Sequence, residues 1–218
     1  EQFAYIASHD LQEPLRMITS FMDQLKRNYG GQLDGKAHQY IEFAIDGAKR
    51  MKQIILDILE YSRAGKIQEE VQNIDVKQIL DEYKILRRKV ITEKQVVFEI
   101  AKLPIITTYN TPLVQVLHNL IDNAIKYSKN DENPVVKIKC SNRKKFWEFC
   151  IEDNGIGIDE KFFSKIFVIF QRLHDRDNYS GTGIGLSIVK KQVESLGGKI
   201  WIESKVNVGS KFYFTIPK

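Results

Sequence analysis

From Ala4 an apolar row runs through Ala7, Leu11, Leu15, Ile18, Met22 and Leu25. Its steps of three and four trace one face of an α-helix, and Gly30-Gly31 supply a stop near Tyr29. After a short loop through Gln32 to Gly35, the positions Ala37, Ile41, Ala44, Ala48, Met51, Ile55, Ile58 and Ser62 alternate by four and three. That is the seam of a coiled coil. The second helix should end near Ala64 and Gly65. Tyr40, Ile54, Leu59 and Tyr61 widen its apolar face beyond what one partner helix covers. The expectation is a helical hairpin, residues 1–65, that dimerises into a four-helix bundle.

From Lys66 the pattern turns to mixed strand and helix, which places a domain boundary there. Val71 to Ile74, Val96 to Ile100 and Ile105 to Thr108 read as strands, with an amphipathic helix from Val76 to about Ile91. A helix over Pro112 to Tyr127 buries Leu113, Val116, Leu117, Leu120, Ile121 and Ala124. Val135 to Cys140 and Phe146 to Glu152 read as paired strands around a polar turn at Ser141 to Lys145. A short helix after Asp159 carries Phe162, Phe163, Ile166, Phe167 and Phe170. A last helix with Ile188, Val189, Val193 and Leu196 stops at Gly197-Gly198, and two strands, Lys199 to Ser204 and Ser210 to Ile216, finish the chain.

Composition narrows the class. The 218 residues hold one large or two small domains, and 43% apolar residues suffice for a packed core. No run approaches a membrane span and no signal peptide is visible. The net charge of +5 comes from basic residues scattered among nearly as many acids, which argues against nucleic-acid binding. Cys140 and Cys150 lack metal spacing and read as buried thiols in a reducing, cytoplasmic compartment. The chain begins without Met and already inside a helix, as expected of a fragment whose upstream part is missing.

Four stretches carry candidate chemistry. His9 falls between Ala7 and Leu11 and so points away from the apolar row, where an imidazole near its ordinary pKa is neutral and nucleophilic. Pro14 removes a helix bond one turn later and should bend the helix. Asn119, Asn123 and Lys126 are spaced four and three on a polar face, an arrangement that can serve a metal-bound polyphosphate, though such residues are commonplace on exposed helices. Asp153 continues the row of Trp147, Phe149 and Ile151 just before Asn154-Gly155-Ile156-Gly157-Ile158. A carboxylate there needs a donor such as the exocyclic amine of adenine, and Gly155 and Gly157 permit close backbone approach to a flat base. After Gln171-Arg172-Leu173, the charged segment His174 to Ser180 reads as a mobile lid. Gly181-Thr182-Gly183-Ile184-Gly185-Leu186-Ser187 then opens a helix whose first amides form an anion site. Leu186 stands where a dinucleotide fingerprint needs glycine, and Val193 where a Walker A loop would.

Ser8 to Leu15, SHDLQEPL, resembles the H box of sensor histidine kinases. His118 to Tyr127 resembles their N box, Asp153 to Gly157 the G1 box, Phe167 to Arg172 the F box and Gly181 to Leu186 the G2 box. All five occur in family order and span essentially the whole chain. The resemblance implies a dimerisation and histidine phosphotransfer domain at 1–65 and a Bergerat α/β-sandwich ATP-binding domain at 66–218. It also implies ATP and Mg2+, a missing upstream sensor domain, a response-regulator receiver domain as partner, and autophosphorylation of His9 with Asp10 as neighbouring acid. Asn123 would hold Mg2+. Asn119 and Lys126 would reach the phosphates, Tyr127 would pack near the nucleoside and Arg172 would approach the γ-phosphate. Asp153, with Gly155 and Gly157, would take adenine, while Gly181, Thr182, Gly183, Gly185 and Leu186 would enclose the phosphates. Two alternatives stay open: a Bergerat ATPase of another type, for which Asn119 stands where a catalytic glutamate is needed, and an inactive dimeric scaffold. One departure is Glu13, where many such kinases have Thr or Asn; its charge is expected to disfavour phosphatase activity unless it merely pairs with Arg16.

Overall fold

The computed structural model describes residues 2–173 and 181–218, and for residues 2–9 the backbone alone. It divides into two compact units, Glu1–Arg63 and Ala64–Lys218.

The first unit is a helical hairpin. Helix α1 spans Gln2–Tyr29 and runs on through Pro14. A 3-10 turn, Gly30–Gln32, leads to helix α2, Gly35–Arg63. Asp34 accepts the Ala37 N–H at 2.7 Å and caps α2, as a carboxylate at a helix N-terminus should. A His38 ring nitrogen meets Gly30 O at 3.0 Å, and Lys26 pairs with Glu42 across the hairpin. Only Leu15, Ile41, Ile45 and Ala48 are buried among the described side chains of this unit. The expected rows are therefore covered in part: Leu11, Ile18 and Leu25 on α1 and Met51 and Ile58 on α2 stay exposed, with Phe21, Tyr40 and Phe43 beside them. Ile45, which the seam omits, is inside because the true contact stripe lies one position to the side of Ala44.

In the second unit, strands β1 (Gln72–Asp75) and β3 (Ile105–Thr108) form a small antiparallel pair. Strands β2 (Val97–Ile100), β4 (Val135–Asn142), β5 (Phe146–Asp153), β6 (Ile200–Lys205) and β7 (Gly209–Pro217) build a five-stranded sheet in the order β2-β4-β5-β7-β6. Only the β2–β4 pair is parallel. Helices α3 (Val76–Leu86), α5 (Asn110–Lys126) and α6 (Gly185–Ser195) supply the apolar residues that meet one face of it. Alternation decides that face: Phe149 and Ile151 of β5 are buried with Val136 and Ile138 of β4 and with Phe212 and Phe214 of β7. Every member of the stripe expected on α5, from Leu113 to Ala124, is buried, and Ile125 with them.

Three expectations change. The helix read from Val76 to Ile91 is two, because Arg87 leaves helical geometry (φ −98°, ψ 11°) and α4 (Arg88–Glu93) restarts beyond it. No glycine or proline marks this break; it coincides with the Arg87 guanidinium reaching Asp122 of α5 at 2.7 Å. The segment after Asp159 is a 3-10 turn, Glu160–Phe162, followed by further turns, since its backbone mixes bonds three residues back (Phe163 to Glu160, Val168 to Lys165) with a single bond four back (Ile166 to Phe162). Cys140 and Cys150 are free and half-buried, lying on opposite faces of the sheet, with burial pushing the Cys140 thiol up to about 11.

The N-box helix is pinned from the side. The Tyr83 hydroxyl, on a side chain 1% exposed, donates to Asp122 Oδ1 at 2.8 Å, and its ring packs edge-on to His118 with centroids 5.0 Å apart. Burial, and then Asp122, raise the Tyr83 hydroxyl pKa, so it stays protonated as a donor. Tyr83→Phe should therefore lower stability by about 1.5 to 3 kcal/mol, the worth of a hydrogen bond to a charged group. Urea unfolding checks this, and an unchanged midpoint would show that the bond contributes nothing.

Candidate nucleotide site

The site is assembled where β5, α5, the turns after Asp159 and the start of α6 converge. Its cavity is walled by Ile156, Ile158, Ile166, Leu173, Leu186 and Phe212, with Asn123, Tyr127, Asp153, Gln171, Arg172 and Ser210 as its polar lining and Gly157 at its edge.

Asp153 sits where the alternation of β5 places it, at the end of the buried row. Its Oδ1 accepts the N–H of Gly155 at 2.9 Å and of Ser210 at 3.1 Å. Both bonds go to one oxygen; among the described residues no donor reaches Oδ2. Burial, opposed by the two backbone N–H groups and helped slightly by Glu152, leaves the carboxyl raised to about 6. The result is a mostly ionised carboxylate at neutral pH that is short of donors, which is the requirement for receiving an amine N–H from a ligand.

Glycines let backbone segments close around it. Gly157 has φ +69°, and a Cβ there would stand 2.0 Å from Lys205 O. A Cβ at Gly155 would stand 2.4 Å from Tyr127 O. Neither neighbour can yield, being backbone. The Asn154 side chain fastens the turn from behind, accepting Val135 N–H at 2.8 Å and donating to Asn133 O at 3.0 Å.

The glycine-rich loop meets three of the expected polar residues. Asn119 Nδ2 donates back to Gln115 O at 3.0 Å, and its Oδ1 lies 3.0 Å from where a Gly185 Cβ would be. The Lys126 ammonium would stand 2.5 Å from a Cβ at Gly181, and it also meets the Tyr127 hydroxyl at 2.9 Å. Arg172 Nη1 donates to Gly181 O at 2.7 Å. Helix α6 begins at Gly185 without a side-chain cap, and among the described residues no side chain accepts from its first-turn amides.

The structure thus gathers Asn123, Tyr127, Asp153, Gly157, Arg172 and Leu186 on one cavity, with Gly155 behind it and Asn119, Lys126, Gly181, Gly183 and Gly185 along its loop side; Thr182, half-buried, lies in the same loop. His9 and Asp10 belong to the first unit, on α1. The His9 side chain and the lid segment 174–180 lie outside the described residues. Glu13 forms a two-bond ion pair with Arg16, at 2.6 and 3.0 Å, so its charge is offset locally. Sequence reasoning missed Ser210, whose amide holds Asp153 from 57 positions away, and Ser204, whose hydroxyl accepts Ile158 N–H at 2.8 Å. The small-residue pair Gly209-Ser210 opening β7 was the available signal, since Gly209 (φ +130°) must let Asp153 O approach.

A mixed sheet with helices on one face, its central strand β5 ending at a half-buried carboxylate beside a glycine loop, defines an ATPase-type nucleotide fold. The family described as histidine kinase-, DNA gyrase B-, and HSP90-like ATPase matches residues 108–218, and the His Kinase A (phospho-acceptor) domain matches residues 1–67. Phytochrome-like protein Cph1 of Synechocystis sp. is 42% identical over 217 residues, covering 100% of this chain and 29% of that protein. The catalytic domain of histidine kinase ThkA superposes with a TM-score of 0.59 at 30% identity, covering 69% of this chain and 97% of its own. ThkA in complex with response regulator protein TrrA gives 0.63 at 26% identity, covering 100% of this chain and 61% of that one. The chain belongs to the sensor histidine kinases, and it spans less than a third of Cph1's length.

Proposed function

We propose that this chain is an ATP-dependent histidine autokinase that phosphorylates His9 and passes the phosphoryl group to an aspartate of a response-regulator receiver domain. The observation that carries the reading is Asp153, a half-buried carboxylate short of donors in a cavity walled by apolar side chains and closed by glycines. Adenine fits it: the exocyclic amine supplies the missing donor to Asp153, and the ring lies between Ile156, Ile158 and Phe212. Asn119, Lys126 and the free amides from Gly185 onward take phosphate oxygens, and Arg172 steadies the γ-phosphate. Asn123 would hold Mg2+ through its amide oxygen, a hard donor suited to that ion. Bound there, Mg2+ would neutralise phosphate charge.

The ring nitrogen of His9 attacks the γ-phosphorus in line while ADP leaves, and the protein's part is positioning and electrostatics. Asp10, adjacent in sequence, assists by orienting the imidazole. Residues 1–65 would serve as the dimerisation and phosphotransfer domain and 66–218 as the ATP-binding domain. Support for a dimer comes from the exposed Leu11, Phe21, Phe43, Met51 and Ile58, an apolar face that a second copy would cover. Light scattering should find a dimer at micromolar concentration, and a monomer would contradict the bundle.

The reading is tested by incubation with γ-labelled ATP and Mg2+. Label retained on the protein supports an autokinase; phosphate released to solvent with none retained favours an ATPase of another type.

A further inference from the structure

Gln192 lies two turns into α6, 5% exposed, within the buried row of Ile188, Val189 and Val193, where an apolar residue would fit. A buried carboxamide is costly unless its polar ends are used, and both are. Its Oε1 accepts the N–H of Gly65 at 3.2 Å, and its Nε2 donates to Gln115 Oε1. Gln115 stands on α5 one turn before Asn119, which in turn donates to the Gln115 backbone carbonyl. Gly65 (φ +82°) is the second residue after α2, and Ala64 beside it is 2% exposed. One side-chain amide therefore ties the segment leaving α2 to α5, which carries Asn119 and Asn123, and to α6, whose first turn belongs to the glycine loop.

We infer that Gln192 is a positioning residue for phosphoryl transfer: it anchors the start of the tether between the two domains to the pair of helices that face the nucleotide. The inference rests on the autokinase reading. Holding Gly65 removes the first residues after α2 from the free length of the tether, and the encounter of two tethered groups depends on that length and its stiffness. Loss of the anchor then costs rate through poorer placement rather than nucleotide affinity, because Gln192 is not among the residues that line the cavity.

The test uses the full chain. In Gln192→Met, the Gly65 amide should exchange with solvent about tenfold faster or more, the autophosphorylation rate at saturating ATP should fall about tenfold, and the apparent KM for ATP should stay within about twofold. Gln192→Glu accepts the same Gly65 N–H and can take a bond from a turned Gln115 amide, so it should keep the rate within about threefold. An unchanged rate in Gln192→Met overturns the inference, as does a raised KM with an unchanged saturating rate, or a Glu variant as slow as the Met variant. If Gln192→Met loses cooperative unfolding, Gln115→Met decides: the same rate loss with faster exchange of the Gly65 amide supports the tie, and a normal rate, or a lost rate with Gly65 still protected, overturns it. An unmodified chain that takes up no phosphate defeats the autokinase reading instead, and Gly65 exchange still reports whether the anchor exists.

Discussion

His9→Gln abolishes labelling of the protein by γ-labelled ATP while leaving nucleotide affinity within about twofold. The expectation follows from the division of labour between the units: His9 is on α1 of the first, whereas Asp153, Asn123, Tyr127 and the glycine loop all belong to the second. Without the imidazole there is no nucleophile for the γ-phosphorus, and glutamine retains helix propensity, so the hairpin should survive. Two measurements check this, retained label and the dissociation constant of a fluorescent ATP analogue. Label that persists would remove His9 from the mechanism, and a large loss of affinity would show that the units are not independent in binding.

Asp153→Ala should weaken ATP by about tenfold or more, since a hydrogen bond to a charged acceptor is worth about 1.5 to 3 kcal/mol. The raised carboxyl pKa gives this site a pH signature. Adenine's amine needs the ionised acceptor, so affinity should fall as pH drops through about 6. Asp153→Asn, which keeps an acceptor oxygen without titrating, should flatten that step. Stability in the absence of nucleotide goes the other way. The folded pKa lies above the unfolded value, so the folded state holds the proton more tightly, and stability is lost as pH rises from about 4 through about 6. Asp153→Asn should accordingly stabilise the nucleotide-free protein at pH 8 by on the order of 1 to 3 kcal/mol, with little effect at pH 4. A destabilised Asn variant at pH 8 would mean that the charge is not the costly feature of this carboxyl.

Much of the fold was legible because its signals are local. The stripe on α5 repeats at helical spacing, and the alternation of β5 carries Asp153 to the end of a buried row. Where the reading stopped, the causes act at a distance. The break at Arg87 has no turn residue to announce it and coincides with a bond to Asp122, 35 positions later. The phenylalanine-rich segment after Asp159 has helical spacing yet turns in tighter steps, and Phe170 ends exposed at φ +63°. Periodicity marked Ile188, Val189 and Val193 as one face of α6 but had no means of showing that Gln192 among them would be buried with both amide ends paired. In the candidate site, residue types and order indicated the acceptor, the amides and the glycines; the amide of Ser210 arrives from β7 and the hydroxyl of Ser204 from β6, and only the folded sheet brings them to Asp153 and Ile158.

The identity of the phosphoryl acceptor decides the mechanism. After incubation with γ-labelled ATP and Mg2+, the modified protein should lose its label in acid and keep it in base, as a phosphoramidate does, and proteolysis should place the label on the peptide containing His9. Acid-stable label, or label on a peptide from residues 66–218, would contradict it.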